Sequence, residues 1–98
     1  MPRKGKYSLR KNEILIAKIF NIDQDGEWYE ANHKMYTKFN PEYLENKLKV
    51  YVKKKANCEL PVWWYKKLTD NKYIVIFRTV GTSRICKALM EYGFERIA

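Results

Sequence analysis

Lys47-Leu48-Lys49-Val50-Tyr51-Val52-Lys53-Lys54-Lys55 decides how this chain is read, because its apolar residues Leu48, Val50 and Val52 fall on alternate positions. Period two is the strand signal, since successive side chains of a strand point to opposite faces. One face then carries Leu48, Val50 and Val52. The other carries Lys47, Lys49, Tyr51, Lys53 and Lys55, four ammonium groups around one phenol. Downstream, Val62-Trp63-Trp64-Tyr65-Lys66-Lys67-Leu68 sets three consecutive aromatics beside two more lysines. A turn at Thr69-Asp70-Asn71 leads into Tyr73-Ile74-Val75-Ile76-Phe77, apolar on both faces, as expected of the buried centre of a sheet. The stretch from Lys47 to Arg78 thus predicts an antiparallel sheet with a cationic, aromatic face.

The bulk numbers are compatible with that sheet. Ninety-eight residues suit one domain with one core. The apolar fraction of 46% argues against a wholly disordered chain. The net charge of +9 is unevenly placed. Residues 1–11 hold five basic groups and no acid, and residues 47–67 hold seven lysines against Glu59 alone. Residues 12–46 are acidic, with seven carboxylates against three lysines. Two separated basic blocks create a directional field, which points toward a polyanionic partner. No apolar run approaches the roughly 20 residues that span a bilayer, and the N-terminus lacks the apolar core of a signal peptide. Cys58 and Cys86 make neither a metal quartet nor a disulfide framework, although a single bridge between them stays open. The expectation is a cytoplasmic protein with reduced thiols and no membrane partner.

Taken in order, residues 1–11 read as a flexible basic arm and residues 12–98 as a single α+β domain. Glu13 to Ile22 is rich in β-branched residues and favours a strand, with a helix capped by Ser8 as the competing reading. Asp25-Gly26 would turn that strand into a hairpin with Glu27-Trp28-Tyr29-Glu30. Asn40-Pro41-Glu42 is a helix start, here expected to last two turns before Lys47. From Ser83, the residues Ile85, Ala88, Leu89 and Tyr92 form one apolar helical stripe, capped by Ser83 and ended by Gly93. Phe94 to Ala98 is expected to add a short last strand, so the predicted fold is a mainly antiparallel sheet of four to five strands with a C-terminal helix packed on one face.

Catalytic chemistry finds little footing. His33 is the sole histidine and has no neighbouring nucleophile. Asp23, Asp25, Glu27 and Glu30 cluster locally, and a solvated turn accounts for them. Asn21-Ile22-Asp23-Gln24-Asp25-Gly26 resembles the opening of an EF-hand calcium loop, with oxygen ligands at positions one, three and five and glycine at six. The twelfth position is Asn32 in place of the bidentate Glu, so the Asp-Gly turn is the reading taken. Gly81-Thr82-Ser83-Arg84 before a helix resembles the turn of helix-turn-helix proteins, but Tyr73 to Phe77 is too β-branched for their first helix. Arg84 and Lys87 stand near where the last helix of double-stranded-RNA-binding domains carries lysines. No cofactor, metal or small-molecule substrate is expected, and no enzymatic activity.

Nucleic-acid binding remains. Lysines along a strand face stand about 7 Å apart, near the spacing of successive phosphates on one strand. The expected phosphate contacts are Lys47, Lys49, Lys53, Lys54, Lys55, Lys66 and Lys67. Arg3, Lys4, Lys6, Arg10 and Lys11 form a supplementary clamp. Tyr51, Trp63 and Tyr65 are the rings on which unpaired bases would stack, favouring single strands. The alternative class is a small module or inhibitor that docks an acidic protein through the same surface.

Overall fold

A computed structural model describes residues 9–21 and 41–98. The described elements run β1 (Glu13–Asn21), α1 (Pro41–Ala56), β2 (Trp63–Thr69), β3 (Lys72–Val80), α2 (Arg84–Tyr92) and β4 (Glu95–Arg96). The fold is α+β. The four strands form one sheet in the order β2-β3-β1-β4, with every neighbouring pair antiparallel. This order makes two interleaved split β-α-β units: α1 links β1 to β2 around β3, and α2 links β3 to β4 around β1.

Register sorts the strand residues between two faces, because directly paired residues share a face. Ile16 pairs with Phe77, and Trp63 also pairs with Phe77. These three therefore point the same way. That face holds Ile14, Ile16, Phe20, Val75 and Phe77, and it is covered by Leu44, Leu48 and Val52 of α1 and Cys86 and Leu89 of α2. Phe94, just before β4, completes the same buried cluster. As expected for an interior strand, β3 is apolar on its second face too, where Ile76 and its partner Ala17 are both buried.

The stretch Lys47–Lys55 is helical, which overturns the strand expected there. It belongs to α1, a helix of 16 residues and about four turns in place of the two expected. Leu44, Leu48, Val52 and Ala56 are its buried residues, each four positions from the last. That spacing keeps them on one stripe of a helix. Val50, which the alternating pattern placed beside Leu48 and Val52, is 66% exposed. Glu42 in the first turn and Lys53, Lys54 and Lys55 in the last complement the helix dipole. Asn57 ends the helix in the left-handed region at φ 54, and its N–H donates to the Lys53 carbonyl at 3.0 Å.

The other elements follow their local signals. β1 forms where the β-branched run predicts a strand, and β2 and β3 meet through the expected turn at Asp70 and Asn71. Ser83 caps α2 by accepting from the Cys86 N–H at 3.1 Å. Gly93 ends α2 at φ 131, its N–H donating to the Met90 carbonyl while the Phe94 N–H donates to that of Leu89. This is the paired bonding of a Schellman motif. β4 is the short last strand, two residues long. The expected arm residues 1–8 lie outside the described residues. So do the Asp25-Gly26 hairpin turn, its partner Glu27 to Glu30, the resemblance to a calcium loop beyond Asn21, and His33. No helix among the described residues is long and apolar enough to cross a membrane.

Candidate functional site

Coiling Lys47 to Lys55 into a helix moves the lysines from the sheet to the helical layer, and it redistributes them. Side chains three, four or seven apart stack on one helix face, whereas neighbours two apart do not. Lys49 and Lys53 therefore form one ridge and Lys47 and Lys54 a second, with Val50 between them. All four lysines are exposed. The rise per residue places Lys49 and Lys53 about 6 Å apart along the axis, and Lys47 and Lys54 about 10 Å. Lys47 lies over the Tyr43 ring at 5.9 Å. Among the described residues no ion pair engages Lys49, Lys53 or Lys54.

Lys55 departs from that face. It turns toward α2 and pairs with Glu91 at 3.6 Å, both side chains being about half exposed. A crevice between the helices is lined by Lys55, Ala56, Arg84, Lys87, Ala88 and Glu91. Arg84 and Lys87 are exposed on the α2 side of this crevice. They are functional candidates that the alternating reading left out, and a helical phase for residues 41–56 would have drawn attention to them.

The lysines of β2 do not join this surface. Lys66 pairs with Ile74 and so points to the sheet face away from the helices, and Lys67 pairs with Asp70 at 3.3 Å. Arg10 and Lys11 are exposed before β1. Arg3, Lys4 and Lys6 lie outside the described residues.

The three expected stacking rings are not presented together. Tyr51 sits between the helices, where its hydroxyl donates to the Ala88 carbonyl at 2.7 Å and its ring meets Tyr92 edge-on at 4.9 Å. Trp63 donates its indole N–H to the Glu45 carboxylate of α1 at 3.1 Å and packs near Phe77. Both rings fasten α1 to its neighbours. Tyr65, 43% exposed, is the one of the three with a substantial open face.

A groove of about 470 Å³ runs along α1 on the side of the loop that follows it. Lys49, Val50, Lys53 and Lys54 line it from the helix, and Cys58, Glu59 and Leu60 from the loop. Val50 and Leu60 supply its aliphatic lining. Cys58 donates its thiol to the Ala56 carbonyl at 3.1 Å. Cys58 and Cys86 are both free, and burial pushes the Cys86 thiol above its ordinary range, with Arg96 opposing weakly. Among the described residues no three metal-ligating side chains gather. No protein-family model, curated protein or solved structure matches this chain.

Proposed function

We propose that the protein is a non-catalytic nucleic-acid-binding protein whose contact surface is the outer face of the helical layer. The observation that carries this reading is the gathering of Lys47, Lys49, Lys53 and Lys54 on the solvent side of α1, with Arg84 and Lys87 also exposed on α2. Exposed cations at this density neutralise phosphates and release counterions, a sequence-tolerant source of affinity. Base stacking supplies little, because Tyr51 is engaged between the two helices and Trp63 between the sheet and α1. The reading therefore moves from rings and strand lysines to lysines on helices. The two free thiols suit a reducing compartment such as the cytoplasm.

A gel-shift panel of single-stranded and duplex DNA and RNA at two salt concentrations tests this. Binding to one or more of the four at low salt, weakening steeply as salt rises, is the expected result. Failure of all four at low salt would overturn it and favour an acidic protein as the partner.

A further inference from the structure

The groove beside α1 has the form of a site for something smaller than a helix of nucleic acid. Pockets for small organic groups are typically about 300–1,000 Å³, largely apolar, with a few polar groups that fix orientation. This one measures about 470 Å³ and combines the aliphatic Val50 and Leu60 with Lys49, Lys53 and Lys54. A ligand that matches must be flat or apolar in one part and anionic in another. Glu59, on the loop side, adds a further requirement. A carboxylate repels phosphate and accepts N–H bonds, as it does from the exocyclic amine of cytosine.

We infer that the groove seats one unpaired nucleotide of a bound strand, its base against Val50 and Leu60 and its flanking phosphates on Lys49, Lys53 and Lys54. The inference rests on the nucleic-acid reading above and adds to it a preference for unpaired over paired strands. An aliphatic pocket holds an extruded base as an aromatic one does, by covering its faces from water. A base stacked in a duplex does not reach such a lining, so duplexes gain only the lysine contacts. The carboxylate of Glu59 favours adenine and cytosine, which carry an amine, over thymine and uracil, which offer carbonyl oxygens.

Cys58 lines the groove and supplies an internal reporter, while Cys86 is 1% exposed and serves as the unreactive reference. The experiment measures iodoacetamide alkylation of Cys58 by mass spectrometry, alone and with saturating 12-nucleotide dA, dC or dT strands or a blunt duplex. The dA and dC strands are expected to slow alkylation at least about fivefold, and the duplex clearly less. Val50 is exposed, so Val50→Ser leaves the fold intact. It is expected to weaken dA and dC binding about three- to tenfold while leaving duplex affinity unchanged, as loss of one partial base contact requires. Glu59→Gln should narrow the gap between dC and dT.

Equal protection by duplex and single strands, or single-strand binding that Val50→Ser leaves untouched, overturns the groove assignment and leaves lysine-mediated binding standing. Absence of binding to every probe at low salt overturns both.

Discussion

Tyr51 shows how one side chain can exchange a proposed function for a structural one. Its hydroxyl lies 2.7 Å from the Ala88 carbonyl in a partly buried setting, so it joins the two helices. Tyr51→Phe removes that bond, at a cost of about 1 kcal/mol. A thermal midpoint lowered by roughly 4–8 °C with nucleic-acid affinity unchanged is the expected outcome, read by thermal unfolding and by fluorescence anisotropy. A loss of affinity without a loss of stability would return Tyr51 to the binding surface. Cys86 carries a pH dependence of definite sign. Burial disfavours its thiolate, so the folded chain keeps the proton at a pH where the unfolded chain releases it. Stability therefore falls as pH rises beyond the ordinary thiol range near about 8.5, by at most about 1.4 kcal/mol per pH unit. Urea unfolding between pH 7 and 10 should show this decline flattened in Cys86→Ala, and parallel curves for the two proteins would contradict it.

At the scale of the element, α1 is defined by which residues lose stability when cut back. Leu48 is fully buried and Val50 is 66% exposed, although a strand would bury them alike. Leu48→Ala should cost about 2–5 kcal/mol in chemical denaturation, and Val50→Ala less than about 0.5. Equal losses at the two positions would restore the strand. The misreading has a plain physical origin. Leu48 and Val52 are four apart, a spacing that is even and also close to one helical turn, so both periods fit them. Val50 alone separated the two, and it is an exposed apolar residue of the kind any surface tolerates. The longer series Leu44, Leu48, Val52 and Ala56, entered through Asn40-Pro41-Glu42, was present in the sequence and favours the helix. α2 was legible because Ser83, its apolar stripe and Gly93 agree with one another. β1 and β3 were legible because β-branched residues crowd them. The sheet order was not, since β1 pairs with β3 across the fifty residues that separate the two strands and no local signal encodes that pairing.

For the whole molecule, the sheet and core act as a platform, and the charge on which the proposed function rests lies on the helical layer above it. The basic groove was invisible to a strand reading because Val50, Cys58 and Leu60 come together only once α1 turns back through Asn57 into the loop. Its lysines were legible as residues and misplaced as a surface. Lys49 and Lys53, one helical turn apart and exposed, are the pair on which the binding account leans most. Reversing both charges should leave the thermal midpoint within a few degrees, since exposed substitutions seldom exceed about 0.5 kcal/mol. The most direct test is the salt dependence of affinity for single-stranded DNA, measured by anisotropy for the parent chain and for Lys49→Glu with Lys53→Glu. Four phosphates neutralised by Lys47, Lys49, Lys53 and Lys54 predict a log–log slope of about −3. The folded double variant should show a slope shallower by at least about 1.4 and an affinity at least about tenfold weaker. A folded double variant with the parent's slope and affinity would contradict the account.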